Sequence, residues 1–206
     1  PDWVKFSTVT EFRTAAGAML RLARAQAGLK QQQVAGKIGM KDFHGVANAE
    51  SSGIAGLEML VRILGACGIH FAIEVCQKDG TPLARVSSGE WHSSFNIAAD
   101  EIATQTNLGV DALNVALRAT LAPMREHLGM TWSEFAQTIN PSKPTDSVKT
   151  AILTMEGRTV PIKMGPFLKS VTQRQGTVAF TAYCLDGTII SRICSAGMGQ
   201  PSGVGS

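Results

Sequence analysis

The sequence predicts a mainly α-helical fold with a small β component, built as two copies of one module in which a bundle of helices is followed by a β-hairpin. Three observations predict it. Apolar residues recur at helical spacing early in each half, a helical block near residue 20 returns 101 positions later, and a strand-like block with an Asp-Gly turn returns 107 positions later.

The helical block sets LRLARAQAGLKQQQVAGKI (20–38) over LAPMREHLGMTWSEFAQTI (121–139), so that Leu20/Leu121, Arg24/Arg125, Gly28/Gly129, Ala35/Ala136 and Ile38/Ile139 coincide. The strand block sets DGTPLAR (79–85) over DGTIISR (186–192). Two blocks in the same order argue against a chance likeness between amphipathic helices. The drift in offset from 101 to 107 requires six extra residues in the second copy. PSKPTDS (141–147), rich in Pro and Ser, is expected to hold them as a loop. The resulting organisation is a first module over 1–87, a linker over 88–109 with a short helix at 97–104, a second module over 110–195, and a mobile Gly/Ser-rich tail over 196–206.

Within each copy the elements follow from local chemistry. Thr10 and Asp111, also 101 apart, are expected to cap a long first helix, since their side-chain oxygens accept from free N–H groups of a first turn. In the first copy that helix buries Ala16, Leu20, Ala23 and Ala27 and stops at Gly28; Gly129 plays the same part in the second. A short second helix starts near Gln31 or Trp132. It buries Val34, Ala35 and Ile38, or Phe135, Ala136 and Ile139, and the small Ala35 and Ala136 permit a close helix crossing. HFAIEVCQKDGTPLARV and VAFTAYCLDGTIISRI alternate around Asp-Gly and read as hairpins. An isolated hairpin is unstable in water. The two are therefore expected either to pair within the chain, making a pseudo-dimer, or to pair between chains in a homodimer.

Composition narrows the function classes. A chain with 44% hydrophobic and 17% charged residues is expected to be an ordinary globular protein. It has no apolar run near the roughly 20 residues of a membrane span. No basic-then-apolar leader is evident, and the first residue, Pro1, suggests a trimmed start, so a cytoplasmic location is expected. Cys67, Cys76, Cys184 and Cys194 form no CxxC pair and read as reduced, half-buried thiols, with no metal and no disulfide framework. His44, His70, His92 and His127 are scattered and no nucleophile has a motif around it, so neither catalysis nor a cofactor is expected. GMGQPSG near the end lacks the Lys-Ser/Thr and strand-to-helix context of a phosphate loop. The net charge is +3, and the excess lies early: residues 1–85 hold ten Lys/Arg against seven Asp/Glu, the remainder nine against nine. Such a balance suits a modest nucleic-acid footprint.

Two stretches carry a family resemblance. RAQAGLKQQQVAGKIGM (24–40) with VANAESSG (46–53), and REHLGMTWSEFAQTIN (125–140) with ILTMEGRTVP (152–161), resemble the Cro/CI-like (XRE) helix-turn-helix DNA-binding family, present twice. The resemblance implies two lambda-repressor-like bundles and double-stranded DNA as partner. It also implies structural ion pairs of Arg24 with Glu50 and Arg125 with Glu156, which removes those arginines from the DNA contacts.

The family's third helix lies in the major groove, its early residues facing base edges. With Val46 buried, the outward residues are Phe43, His44, Ala47 and Asn48. Asn48 suits adenine, His44 a guanine acceptor and Phe43 a thymine methyl. With Ile152 buried, the counterparts are Lys149, Thr150, Leu153 and Thr154, so two unlike half-sites are expected. The start of helix two is implied to touch phosphate, giving Gln31 and Gln32 with Lys37 and Lys41 nearby. The second copy departs from the pattern with Trp132 in place of Gln, a residue that would equally suit burial against the linker. Such a sequence suits a transcriptional regulator of bacterial, phage or mobile-element type; the alternative is an antitoxin or adaptor that uses the same fold to bind a protein.

Overall fold

The computed structural model describes residues 3–54, 56–88, 110–157 and 162–196. The predicted helix at 97–104, nearly all of the linker and the tail beyond 196 lie outside the described residues. Among those described, the chain is mainly helical with one small mixed sheet.

A short strand, β1 (Trp3–Phe6), comes first and was not foreseen from the sequence: its four residues show no clear alternation. Helix α1 (Val9–Gln26) is capped by Thr8, whose hydroxyl accepts from the Glu11 N–H at 3.1 Å. Thr10, the expected cap, lies inside the helix, where its carbonyl accepts from the Thr14 hydroxyl. The helix ends at Gly28, whose φ of +65° is one that side chains with a Cβ rarely adopt. Then come α2 (Gln31–Lys37), α3 (His44–Ser52) and α4 (Leu57–Ala66), followed by strands β2 (His70–Cys76) and β3 (Pro82–Ser87).

The second copy repeats this order with two differences. The counterpart of α1 is broken into α5 (Val110–Ala119) and α6 (Leu121–His127), correcting the expectation of one long helix. Pro123 stands where α1 has Leu22, and it has no N–H for the carbonyl four residues back, at Ala119. Asp111 lies within α5 and not at its cap. After α7 (Trp132–Ile139), helix α8 (Thr145–Gly157) is 13 residues long against nine in α3. The extra residues expected in a loop at 141–147 therefore partly enter α8 as an additional turn. The remaining elements are α9 (Met164–Gln173) and strands β4 (Thr177–Tyr183) and β5 (Ile189–Ser195).

The five strands form one sheet in the order β1-β5-β4-β2-β3. β2 and β4 pair antiparallel, so the two hairpins join within the chain. Ile73 faces Phe180, the residue 107 positions on and thus its own counterpart. Phe71 faces Ala182 and Val75 faces Val178, the second pair being the first with the copies exchanged. The N-terminal ends of α4 and α9 obey the same relation, with Gly56 bridged to its counterpart Lys163. β1, from the start of the first copy, adds in parallel to β5 of the second, and among the described residues β3 forms the opposite edge.

The turns repeat atom for atom. Asp79 and Asp186 each accept from the N–H two residues on, Thr81 and Thr188, at 2.9 Å, and Gly80 and Gly187 both have φ of +86°. A type I turn with a positive-φ residue closing it is the usual three-residue hairpin loop.

One apolar cluster runs from α1 through α4, α5, α6 and α9 to the inward face of the sheet, with Phe12 against Phe6 and Phe180 at ring separations of 5.2 and 4.9 Å. A smaller cluster, Phe135, Ala136, Val148 and Ile152, binds α7 to α8; Ile139 only borders it. Cys67, Cys76 and Cys194 are buried and only Cys184 is half-exposed, against the expectation of four half-buried thiols. Burial pushes the Cys76 thiol up to about 11. No described helix is long and apolar enough to cross a membrane.

Candidate nucleic-acid interface

Helix α3 is held from behind by a charged clamp. Arg24, on α1, places Nε 2.6 Å from Glu50 Oε1 and Nη2 2.9 Å from Oε2. Glu50 is 3% exposed, and an unpaired carboxylate there would be costly. Arg21 donates to the Glu50 carbonyl at 2.9 Å, and Arg24 also reaches the Leu29 carbonyl at 3.0 Å. Burial alone would raise the Glu50 carboxyl, but the hydrogen bonds from Arg24 and Gln31 and the nearby charges of Arg24 and Arg21 outweigh it. The group titrates below its ordinary range. Gly17 completes the contact: a Cβ there would lie 2.6 Å from the Glu50 carbonyl oxygen, so only glycine allows α1 and α3 this close.

With its inner face pinned, α3 turns Phe43, His44 and Asn48 to the surface, while Ala47 is half-covered. Phe43 keeps 41% of its surface exposed and its ring lies 4.6 Å from that of His44. The turn before the helix is closed by Asp42, whose Oδ1 accepts from the His44 N–H at 2.9 Å. Lys41 and Gln32 are exposed beside this face. Two expected contacts point elsewhere. Gln31 donates to Glu50 Oε2 at 2.9 Å and so belongs to the clamp, because a buried carboxylate takes an amide donor in preference to water. Lys37 donates to the Ala66 carbonyl at 3.2 Å, the negative end of α4.

The second copy builds its clamp from different parts. Glu156 accepts from Arg174 Nη2 at 2.6 Å, while Arg125 Nε stands 3.5 Å away, in range of an ion pair. Arg174 also donates to the carbonyls of Leu121 and Ser170 and lies over the Phe135 ring. Its counterpart in the first copy is Cys67, so a buried cation replaces a thiol. Burial depresses the Arg174 guanidinium, with the Glu156 hydrogen bond opposing. Trp132 lies under the Arg125 guanidinium, 3.7 Å from ring centroid to Cζ. It thus packs on the clamp, at the position where Gln31 serves the first copy.

Around α8, Thr150 and Leu153 are exposed and Lys149 and Thr154 half-covered. The Thr150 hydroxyl donates to the Asp146 carbonyl. Aligning Glu50 with Glu156 makes residues 145–149 the counterparts of 39–43, so what is a turn in the first copy is the first turn of α8 in the second. That extra turn carries Asp146, exposed. Counting equivalent windows, residues 30–48 hold Lys30, Lys37, Lys41 and Asp42, a net +2, whereas 131–154 hold Glu134, Lys143, Asp146 and Lys149, a net of zero. The two faces differ in shape and in charge.

Sequence reasoning missed Arg174, Gly17 and the inward turn of Gln31. Arg174 has a signal only once the copies are aligned, as a charge at the position of Cys67, which follows the apolar end of α4. Compared with protein-family models, curated proteins and solved structures, the chain has no match in any of the three.

Proposed function

We propose that the chain is a sequence-specific, double-stranded DNA-binding regulator of transcription, a tandem Cro/CI-like protein whose copies are lambda-repressor-like helix-turn-helix bundles. The observation that carries this reading is the contrast between the two sides of α3. The inner side is fixed by the Glu50 clamp, and the outer side offers Asn48, His44 and Phe43 together with Lys41. A rigid helix with a hydrogen-bonding, cationic outer face suits insertion into a major groove, Asn48 pairing with adenine and His44 donating to guanine. Gln32 and Lys41 supply phosphate contacts. Bound this way the protein would occlude or recruit polymerase. On this reading it works in the cytoplasm, without cofactor or catalysis.

The first copy is the reader. The neutral face, the added turn and Asp146 make α8 a poorer fit to phosphate-lined DNA, which leaves the second copy as the structural half of a pseudo-dimer. A second chain, docked as a homodimer, would supply the other half-site about 34 Å away. The exposed Leu153, 47% accessible on α8, favours one other reading, an antitoxin or adaptor module that holds a protein partner through the second copy.

The test is selection of bound duplexes from a random pool at physiological salt, followed by salt titration. A motif of one half-site per chain is expected. Failure to enrich any sequence overturns the DNA reading and leaves the protein-binding one.

A further inference from the structure

We infer that the DNA site read by α3 contains a 5-methylpyrimidine, thymine or 5-methylcytosine, opposite Phe43; the inference rests on the DNA-reading proposal and adds to it the base chemistry. Phe43 sits immediately before α3 as a large apolar side chain left 41% exposed, outside the apolar core. Its ring is not loose. It lies against the His44 ring at 4.6 Å with 32° between planes, and Asp42 closes the turn beneath both through the His44 N–H. On the first turn of α3, the tip of Met40 fills the space where a side chain on Gly45 would be, so the start of the helix is packed. The phenyl ring is therefore presented at the leading end of the helix in a set position.

A phenyl ring neither donates nor accepts a hydrogen bond. Base edges in a major groove consist of donors and acceptors, and covering them with a ring leaves them unsatisfied at a cost. The feature that rewards a ring is the C5-methyl group of thymine, which a methylated cytosine reproduces and which offers more apolar surface to cover than the bare C5–H of cytosine. His44, beside Phe43, meets the neighbouring base edge with a ring nitrogen, so the pair of tilted rings reads one apolar and one polar feature in adjacent positions. In the second copy the corresponding residue is Lys149, which carries no such preference.

The experiment uses the full chain and a duplex enriched from the random pool, with each thymine replaced singly by uracil. That change deletes one methyl and keeps every hydrogen-bonding group. One position is expected at which uracil weakens wild-type binding about fourfold, the effect of uncovering one buried carbon. At that position Phe43→Ala binds the thymine and uracil duplexes equally, Phe43→Leu retains part of the difference, and 5-methylcytosine binds more tightly than cytosine. If the wild type is indifferent to uracil everywhere, or Phe43→Ala keeps the same sensitivity, the inference is overturned while DNA reading stands. If no duplex is enriched, both are overturned together.

Discussion

Ile73 and Phe180 hold the same place in the two copies and lie directly opposite each other across the β2–β4 ladder. Every pairing on either side of them recurs with the copies exchanged, as in the interface of a symmetric dimer. The ladder thus joins the halves through equivalent strands in equivalent register. Because Phe180 also touches Phe12 of α1, the first copy's longest helix rests on the second copy's strand.

This shared core predicts one unfolding transition. Phe180→Ala should cost about 3–5 kcal/mol, as for other fully buried phenylalanines. Urea titrations followed by far-UV circular dichroism and by tryptophan fluorescence should stay superimposed in wild type and variant. Two separated transitions would show that the copies fold independently.

Gln31 and Asn48, both read from sequence as DNA contacts, should separate by experiment. Gln31→Ala removes a donor to a buried carboxylate and is expected to destabilise the fold by about 1–3 kcal/mol. Asn48→Ala should leave stability unchanged and weaken binding to the selected site by about 1–3 kcal/mol, with random DNA little affected. Thermal denaturation and paired titrations on specific and random duplexes check both.

Glu50 gives stability a pH dependence of definite sign. Its carboxyl titrates lower in the folded protein than in the unfolded chain, so the native state resists protonation. The clamp's contribution is complete above the unfolded pKa and is lost as pH falls through the folded value. Unfolding free energies measured from neutral pH down into the acid range should decline for wild type, and Glu50→Gln should show a flatter curve in that window, from a lower neutral-pH value.

The copies should respond differently to loss of charge. Lys41→Ala is expected to weaken binding similarly on all duplexes and to reduce the salt dependence by about one ion. Lys149→Ala should change neither if, as proposed, the first copy alone reads DNA. A comparable loss for Lys149→Ala would return the second copy to the DNA-contacting role.

Much of this is legible in the amino-acid sequence. The positive-φ glycines Gly28, Gly129, Gly80 and Gly187 mark turns through a local backbone requirement, and the apolar spacing of Val34, Ala35, Phe135 and Ala136 reports burial directly. The Arg24–Glu50 and Arg125–Glu156 pairs followed from the resemblance. Candidate contacts fared less evenly: Asn48, His44, Phe43, Gln32 and Lys41 are exposed where expected, while Gln31 and Lys37 are taken up by protein acceptors. A polar side chain at a helix start looks the same in sequence whether its partner is a phosphate or a carboxylate 19 residues away.

The sequence alone determined the duplication, the helix and hairpin order and the turn positions, because each rests on chemistry within a few residues or on the repeat itself. Tertiary structure alone decided that the hairpins pair with each other, that β1 closes the sheet beside β5, that Arg174 substitutes for Cys67 in the second clamp, and that α8 gains a turn. Those outcomes depend on which groups meet across long stretches of chain and on how buried charge finds a partner, and neither is written in local spacing.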